Sequence, residues 1–489
     1  MPRKIALWDD YDEVAFQVVI NARGRQSTWP VTAPLPPGWT AKGFTGSRRA
    51  CLEEIGARWQ DPPLDDGWQG GSGGGRATGA SALRGPLRAV PDTSVTALIR
   101  AQDLPRDRLA ARCGTVRVTR GELLDAAAAW ARVLVEAGCG PEAPVAVLLP
   151  RGVEALVAIL AVLEAGGAYV PLSCDDPPRL LQAILADCGA AVTVTTDELA
   201  ERVRGHGGTV LTLSALRKRA GSATATPHGA SAGSLAYVLY PSGAAGEPRG
   251  VEGTHRQLVN YALWCRTAFA HHPGEVTFLS TSLFLPGSLT TIFTPLLAGW
   301  PIVIAPDGAT ADALLELSGT AAGGLLDLTP AHVRLMAARG VPGGGLARQL
   351  MVGSEPLAFG PELREWMRAD PERVVVNHYG PAGTHGCFCH WLTGGEELGS
   401  NVPVGRPIDN VEAYIVDRDC ALVGVGEVGE LLVGGPSIGR GYRGRPRLTA
   451  ERWIPHPWGD GAVLLRTGDL ARLEPDGVVT VLGRAGRQG

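Results

Sequence analysis

The stretch Tyr237-Val-Leu-Tyr-Pro-Ser-Gly-Ala-Ala-Gly-Glu-Pro-Arg-Gly250 begins as an apolar strand pattern and ends in a loop of small residues. Its glycines stand at positions 243, 246 and 250. A glycine-rich loop after a strand lets backbone N–H groups approach an anion, usually a phosphate. No Gly-Lys-Ser/Thr follows at the spacing of a Walker loop. The stretch therefore predicts a phosphate-binding loop of another kind.

Strand and helix patterns alternate on the N-terminal side of this loop. Strands are predicted at 144–149, 168–172 and 191–196, with helices at 154–164 and 178–187. Such alternation is typical of parallel sheets covered by helices, so we expect an α/β fold. Further strands predicted at 413–416, 429–434 and 478–482 indicate a smaller, hairpin-rich β region near the end.

The composition narrows the class of protein. The chain has 489 residues, 45% of them hydrophobic and 19% charged, with a net charge of −4, which indicates a globular protein without a basic footprint for nucleic acid. Nine scattered cysteines favour reduced thiols in the cytoplasm over a disulfide framework. The most apolar run, 155–172, contains Glu164 and two glycines, so no membrane span is expected.

The first 66 residues predict a compact α+β unit of their own. Strands are expected at 14–20 and 25–30, and Ser47 is a candidate cap for a helix with Cys51, Leu52 and Ile55 on one face. Four of the 12 tryptophans lie in this short piece, which favours docking onto a larger partner. Residues 67–92, rich in glycine, are predicted to be a flexible linker.

The region formed by the first 66 residues resembles the MbtH-like proteins, which are small partners of adenylation domains. The matching positions are Asn21, Gln26, Ser27, Trp29, Pro30, Pro37, Gly38, Trp39, Cys51, Leu52, Ile55, Trp59 and Asp61. The resemblance implies an interface at Ser27, Trp29 and Trp39, whose two indoles would grip a small side chain. A flexible fusion raises the effective concentration to the order of millimolar, so we expect a permanent intramolecular contact with the adenylation domain.

Residues 93–485 resemble the large N-terminal subdomain of adenylation domains in nonribosomal peptide synthetases, members of the adenylate-forming superfamily. The matching blocks, in the family's order, are 165–172, 240–250, 377–381, 429–433 with 439–442, 466–470 and 483–484. The resemblance implies an ATP-dependent enzyme that joins a carboxylate to AMP. The chain ends near the family's hinge, at about residue 486, so the smaller C-terminal subdomain and its catalytic lysine are expected to be missing and activity to be weak.

The resemblance assigns nucleotide-binding roles to particular residues. Asp469 would bind the ribose hydroxyls, Tyr379 would flank adenine, and Arg484 would reach the ribose or a phosphate. The remaining nucleotide-site candidates are Ser242, Gly243, Gly246, Gly353, Ser354, Glu355, Asn377 and Gly380.

Several positions depart from the family pattern. Ala244 and Ala245 stand where the family has threonines, and Glu247 replaces a lysine. The glutamate that normally holds Mg²⁺ is Gly383, and the hinge aspartate is Gly486. A hydrogen bond to a charged group contributes about 1.5–3 kcal/mol, so we expect weak ATP binding, or Mg²⁺ held mainly by phosphates and water.

The expected substrate pocket also differs from that of common relatives. The family's ammonium-binding aspartate is replaced by Leu285 or Pro286, depending on the register. Asp327 lies in an apolar run and needs a partner, for which the substrate ammonium is suitable; the alternative is that Asp327 caps a turn and His378 is an ordinary core histidine. The pocket candidates are Pro286, Gly287, Thr290, Asp327, Leu350, Val352, His378, Gly386 and Cys387.

The fusion of an MbtH-like module ahead of an adenylation domain resembles the arrangement in enzymes that activate 3-methylaspartate. This resemblance implies that the substrate is an unusual polar or acidic amino acid and that the protein serves antibiotic peptide synthesis. A peptidyl carrier protein acting in trans is the expected partner, with ATP and Mg²⁺ as cofactors. Two alternatives stay open, an aryl- or acyl-acid ligase and a non-catalytic scaffold. The cysteine and histidine residues at 385–390 lie too close together along one segment to predict a zinc site.

Overall fold

The computed structural model describes residues 14–59, 81–241, 247–269, 276–307, 324–338, 347–358, 360–368, 373–392 and 402–485. The chain divides into two compact units. The first unit comprises 1–90, 379–390 and 403–489, and the second comprises 91–378 and 391–402. The N-terminal region therefore belongs to the same unit as the C-terminal β region. Ser242, Gly243 and Gly246 of the predicted phosphate loop lie outside the described residues.

The N-terminal region forms the predicted small α+β structure. Its elements are β1 (Phe16–Asn21), β2 (Gln26–Pro30), β3 (Trp39–Gly46), α1 (Arg48–Ala57) and β4 (Ala82–Arg84). The first three strands form an antiparallel sheet in the order β2-β1-β3. The Ser47 hydroxyl accepts a hydrogen bond from the Ala50 amide at 3.2 Å, so the predicted N-cap of α1 is confirmed.

The second unit alternates helices and strands. Its helices are α2 (Val95–Arg100), α3 (Arg120–Glu136), α4 (Val153–Glu164), α5 (Pro178–Cys188), α6 (Leu213–Ala220), α7 (His255–Ala268), α8 (Gly287–Ala298), α9 (Pro330–Ala338) and α10 (Pro361–Arg368). Its strands are β5 (Leu109–Cys113), β6 (Val116–Thr119), β7 (Pro144–Leu148), β8 (Ala168–Pro171), β9 (Val192–Thr195), β10 (Thr209–Thr212), β11 (Leu235–Leu239), β12 (Val251–Thr254), β13 (Thr277–Leu279), β14 (Ile302–Ile304), β15 (Leu325–Leu328), β16 (Gln349–Gly353) and β17 (Val374–Tyr379).

Two mixed sheets organise this unit. One contains the strands in the order β10-β9-β7-β8-β11-β12, and the other runs β17-β16-β15-β13-β14-β5-β6. Most neighbouring strands are parallel, as are β7 with β8 and β15 with β16, and helices connect them. The predicted α/β class is confirmed, because parallel neighbours require crossover connections that cover the sheet. No helix within the described ranges is long and apolar enough to cross a membrane.

The C-terminal part of the chain is mainly antiparallel. Its elements are β18 (Phe388–Leu392), β19 (Arg406–Pro407), β20 (Glu412–Val416), β21 (Val428–Gly434), β22 (Gly441–Tyr442), α11 (Pro446–Arg452), β23 (Trp453–Pro455), β24 (Val463–Leu473) and β25 (Val479–Arg484). The main sheet has the order β23-β24-β21-β20-β4, and β25 also pairs with β24. The predicted smaller β region is thereby confirmed.

Part of the predicted linker is a strand. Ala82–Arg84 forms β4, which pairs antiparallel with β20 at the edge of the sheet. Arg84 also forms an ion pair of 2.9 Å with Glu412. The prediction of a flexible linker over 67–92 is wrong for this piece, because backbone pairing with an open sheet edge overrides the local composition.

Candidate nucleotide and substrate site

Asp469 lies inside β24, the long strand of the C-terminal sheet. Its side chain is buried, and its amide donates a 2.9 Å hydrogen bond to the Thr467 hydroxyl. That hydroxyl donates in turn to the Leu431 carbonyl of β21 at 2.8 Å. Thr467 therefore positions the turn of backbone that presents Asp469, a role that the sequence pattern did not reveal.

Tyr379 and Arg484 converge on the carboxylate of Asp469. The Tyr379 hydroxyl donates a short hydrogen bond to Oδ2, and Arg484 Nη1 donates to Oδ1 at 2.8 Å. Burial and the neighbouring negative charge raise the pKa of Tyr379, while the hydrogen bond to Asp469 raises the pKa of Arg484. Three residues predicted for the nucleotide site thus form one hydrogen-bonded cluster.

Arg466, three residues before Asp469 on the same strand, forms an ion pair of its own. Arg466 forms a two-pronged ion pair with Glu430 of β21, at 3.2 and 3.0 Å, and both side chains are buried. A buried pair of this geometry satisfies both charges. It couples β24 to β21 beneath Asp469.

Other nucleotide candidates have local structural reasons for their identity. A Cβ at Gly380 would lie 2.0 Å from the His385 carbonyl oxygen, so the backbone passes too closely for a side chain. In the second unit, Gly353 lies beside His378 in register, Ser354 has a φ of +73°, and the exposed Glu355 is 3.9 Å from Arg334. The Asn377 amide donates to the Val402 carbonyl at 3.4 Å.

The position of the family's metal-binding glutamate cannot hold one here. Gly383 has a φ of +104°, and a Cβ there would lie 2.9 Å from the Trp453 ring and 3.0 Å from Leu465. A side chain at 383 would therefore require both strained backbone and displaced aromatic packing. In the part of the chain that the structure describes, no group of three or more acidic, histidine or cysteine side chains is arranged to hold a metal. The residues present do not fit a protein-bound Mg²⁺ at this place.

Asp327 and Gly287 of the second unit are in direct contact. A Cβ at Gly287 would lie 2.5 Å from Asp327 Oδ1, so only glycine leaves space for this carboxylate. Asp327 is 8% exposed, and burial raises its pKa to about 7. The structure confirms that the acid is buried, as the apolar sequence around it predicts.

Aromatic side chains surround the next part of this predicted pocket. The Thr290 hydroxyl is 2.8 Å from the Tyr261 hydroxyl, so it already has a partner. The His378 ring is stacked on Trp264, with centroids 6.2 Å apart and planes at 14°, and lies 5.5 Å from the Tyr261 ring. Burial lowers the pKa of His378 to about 4, and its Nε2 has no hydrogen-bond partner among the described residues. Tyr261 and Trp264 were not predicted for the site, because their helical spacing on α7 is that of ordinary core residues.

The other pocket candidates lie in packed surroundings. Leu350 and Val352 are buried in an apolar cluster with residues such as Leu363 and Met367. Pro286 precedes α8 at its N-cap, and Gly386 is buried. Cys387 is buried, which raises the pKa of its thiol to about 12. Leu350 and Val352 are in register with Leu326 and Leu328, so their side chains lie on the face of the sheet opposite to that of Asp327. Substrate contact by Pro286, Leu350, Val352, Gly386 and Cys387 stays a prediction.

Comparison with known proteins bears directly on this arrangement. A model of the family described as AMP-binding enzyme matches residues 99–443, and one of the MbtH-like proteins matches residues 7–65. The chain belongs to the AMP-binding enzyme family. It carries an MbtH-like region ahead of the AMP-binding region.

Curated relatives of this AMP-binding enzyme are peptide synthetases. Bacitracin synthase 3 of Bacillus licheniformis is 32% identical over 379 residues, which cover 77% of this chain and 6% of that protein. Phosphinothricin tripeptide synthetase PhsB of Streptomyces viridochromogenes is 36% identical over 364 residues, 72% of this chain and 30% of the relative. The chain thus spans less than a third of either protein's length.

Solved structures agree on the fold. The nonribosomal peptide synthetase FmoA3 superposes with a TM-score of 0.73 at 28% identity, covering 81% of this chain and 43% of that one, and an AMPPNP-bound form of FmoA3 gives the same values. An artificially fused adenylation–PCP di-domain, NpsA-ThdA from Klebsiella oxytoca, has a TM-score of 0.72 at 24% identity, covers 82% of this chain and 80% of that one, and supports the fold alone.

The MbtH-like region of this AMP-binding enzyme packs on the C-terminal sheet of the same unit. Trp29 and Trp39 are buried in one apolar cluster with side chains from both parts of the chain. The Trp39 indole donates to the Ala462 carbonyl at 3.2 Å, and the Ser27 hydroxyl donates to the Ala450 carbonyl at 2.9 Å. The Trp29 indole bonds within its own region, to the Pro34 carbonyl at 3.0 Å. All three predicted interface residues are buried in or beside this shared core.

Proposed function

We propose that this chain activates the carboxylate of an amino acid by joining it to AMP. A carboxylate oxygen of the substrate attacks the α-phosphorus of ATP, and the bond from that phosphorus to the bridging oxygen of pyrophosphate breaks. Aminoacyl-AMP and pyrophosphate are the products. The observation that carries the proposal is the buried Asp469 carboxylate, hydrogen-bonded to both Tyr379 and Arg484.

These three residues supply binding and orientation. Asp469 accepts hydrogen bonds from ribose hydroxyls once they displace the Tyr379 hydroxyl, and the freed phenol ring then flanks the base. Arg484 keeps its bond to Oδ1 and adds positive charge beside the nucleotide. Since one anion attacks another, positioning and neutralisation of charge supply most of the catalysis.

The metal requirement differs from that of relatives with the glutamate. Because position 383 cannot hold a carboxylate side chain, a Mg²⁺ ion would have to be coordinated by phosphate oxygens and water. The Glu247 carboxylate that follows the predicted phosphate loop adds negative charge close to it in sequence. Both features support weak binding of the nucleotide triphosphate.

The substrate class that we propose is an unusual polar or acidic amino acid such as 3-methylaspartate. Among the described residues, Nε2 of His378 has no hydrogen-bond partner, which supports a polar substrate side chain, because burial keeps the imidazole neutral and able to donate or accept one hydrogen bond. A peptidyl carrier protein acting in trans is the proposed acceptor, and antibiotic peptide synthesis is the proposed setting. The absence of aspartate at 285 and 286 favours an aryl- or acyl-acid ligase as the second candidate.

Two measurements test the proposal. Isothermal titration with AMPPNP should give saturable binding, and ATP–pyrophosphate exchange should depend on an added amino acid, even if slowly. Exchange with aryl or fatty acids but with no amino acid would favour the second candidate. No AMPPNP binding at millimolar concentration would contradict adenylation and favour a non-catalytic scaffold.

A further inference from the structure

Asp327 faces α7 and α8 rather than the opposite side of its sheet. It is in register with Met351 on the adjacent strand, whose sulfur lies 3.7 Å from the Tyr261 hydroxyl and 3.9 Å from the Thr290 hydroxyl. Its chain neighbours Leu326 and Leu328 pack in the cluster on the other side, with Leu363 and Met367 of α10. Because successive side chains of a strand point to opposite faces of the sheet, Asp327 points toward the helices while Leu326 and Leu328 point away from them.

No counter-charge for this carboxylate is found among the residues that the structure describes. Within the described residues, Asp327 forms no ion pair, and the groups identified around it are the glycine at 287, the Tyr261 and Thr290 hydroxyls and the Met351 thioether. The two hydroxyls bond to each other. Burying an acid without a partner is unfavourable, and burial accordingly raises its pKa. A buried acid kept in this state is suited to a cation that arrives with a ligand.

The first turn of α8 offers an incomplete alternative. Gly287 is the first residue of α8, so the positive end of the helix dipole lies beside Asp327. No hydrogen bond from the helix to the Asp327 carboxylate is formed in the described part of the chain. The helix end therefore favours the ionised acid without neutralising it.

We propose that Asp327 is the counter-charge for the ammonium group of the substrate, in the place of the family aspartate that this chain lacks at 285 and 286. The inference rests on the proposed function and makes it more specific. The carboxylate stands on β15 instead of on the segment before α8, and Gly287 is the residue that makes room for it. It selects for acids that carry an amine and against the same acids without one.

Pairs of non-hydrolysable acyl sulfamates test this selection. Each pair consists of a 5′-O-sulfamoyladenosine bearing an amino acid and its counterpart lacking only the amine, namely aspartyl with succinyl, alanyl with propionyl, and phenylalanyl with phenylpropionyl. The succinyl compound is the amine-free counterpart of the aspartyl compound whichever of the two aspartate carboxylates is joined to the nucleoside. Affinities are measured by titration calorimetry with the wild-type chain, with Asp327→Asn and with Gly287→Ala. Glu164→Gln is the matched control, because that half-buried carboxylate already pairs with Arg100 at 2.5 Å.

In the pair that binds most tightly, the wild-type chain should prefer the amine-bearing member by about 10- to 150-fold, the range of one hydrogen bond to a charged group. In Asp327→Asn the preference should fall to about threefold or less, with the affinity for the amine-free member unchanged. Gly287→Ala should lose affinity for the amine-bearing member, since its methyl group displaces the carboxylate. Glu164→Gln should retain the wild-type preference.

Three outcomes overturn the inference. Equal affinities within every pair for the wild-type chain would show that no counter-charge operates while leaving nucleotide binding intact. An undiminished preference in a folded Asp327→Asn variant would assign the ammonium to another group. A failure of every sulfamate to bind would contradict the proposed function itself. A thermal unfolding scan of each variant separates loss of fold from loss of the ammonium site.

Discussion

The two oxygens of Asp469 are both occupied before any nucleotide arrives. Oδ1 accepts from Arg484 and Oδ2 accepts from the Tyr379 hydroxyl. In the proposed complex, a ribose hydroxyl would therefore compete with the Tyr379 hydroxyl for Oδ2. The free energy that Asp469 contributes to nucleotide binding would be the difference between its hydrogen bond to the ribose and its hydrogen bond to Tyr379. That difference is smaller than either bond alone.

Substitutions at this cluster should separate the roles of its members. Asp469→Asn should weaken AMPPNP binding by about 10- to 150-fold, because it replaces a charged acceptor of sugar hydroxyls with a neutral amide. Tyr379→Phe keeps the ring and removes only the competitor, so its affinity should stay within about threefold of wild type or improve. Titration calorimetry measures both. Unchanged binding by Asp469→Asn would place the ribose elsewhere.

Asp327 should make stability depend on pH. Its pKa of about 7 in the folded chain lies above the ordinary aspartate value, so the folded state holds the proton more tightly. Stability contributed by the protonated acid is present below pH 4 and is lost as the pH rises to 7. The loss approaches about 4 kcal/mol, three pKa units at 1.36 kcal/mol each.

Urea unfolding of Asp327→Asn at pH 4.5 and pH 8 tests this dependence. The variant cannot ionise at this position, so relative to wild type it should gain stability between the two pH values. The Glu164→Gln chain, measured in parallel, accounts for general effects of removing a carboxylate. An advantage of Asp327→Asn that is the same at both pH values would argue against ionisation of this acid.

At the scale of elements, β24 links the cluster of Tyr379, Asp469 and Arg484 to the rest of its sheet. It carries Arg466 on the buried side, paired with Glu430, and Arg472 near the surface, paired with Glu474 at 2.8 Å. β24 therefore takes part in two arginine–glutamate ion pairs, one buried and one closer to solvent. The buried pair depends on mutual neutralisation, whereas water screens the exposed one.

Removing one partner from each pair gives a matched comparison. Glu430→Ala leaves a buried guanidinium uncompensated and should destabilise the unit by about 3–5 kcal/mol. Glu474→Ala, in a half-exposed pair, should change stability by at most about 1 kcal/mol. Urea unfolding monitored by tryptophan fluorescence provides both values. Equal effects would mean that the buried pair contributes no more than the exposed one.

At the scale of the whole molecule, the MbtH-like region and the C-terminal sheet complete one apolar core. Phe16, Trp39 and Leu52 from the N-terminal region belong to the same cluster as Leu432 and Leu464. A region of about 50 residues buries too little of its own surface to be stable with ease. Packing on the sheet supplies the missing burial and, in return, covers apolar residues of the sheet.

This shared core predicts the effect of truncating the indole that spans it. Trp39→Ala removes a buried aromatic ring and the bond to the Ala462 carbonyl, and should cost about 3–5 kcal/mol. We expect a lower melting temperature and a smaller soluble fraction on expression. Arg49→Ala, at an exposed position of α1 whose ion pair within the described ranges is with Glu53, is the control and should match wild type. A Trp39→Ala chain with wild-type melting temperature would mean that this contact does not hold the unit together.

Local patterns in the sequence were sufficient to predict many of the helices and strands. Period-two and period-3.6 patterns predicted strands such as Pro144–Leu148 and helices such as Pro178–Cys188 within a residue or two, because burial of one face sets both patterns. The short segments around Tyr379 and Asp469 pointed to both residues only through their resemblance to family motifs, and the nucleotide contacts of both stay predictions.

Only the tertiary structure decided what those residues touch. Contacts between Asp327 and Gly287, between Tyr379 and Asp469, and between β4 and β20 join positions that are distant in sequence. No local pattern encodes such pairs, because packing of whole elements determines which side chains meet. The same limit explains why β4 was mistaken for linker: its pairing depends on an open sheet edge formed by a strand more than 300 residues later.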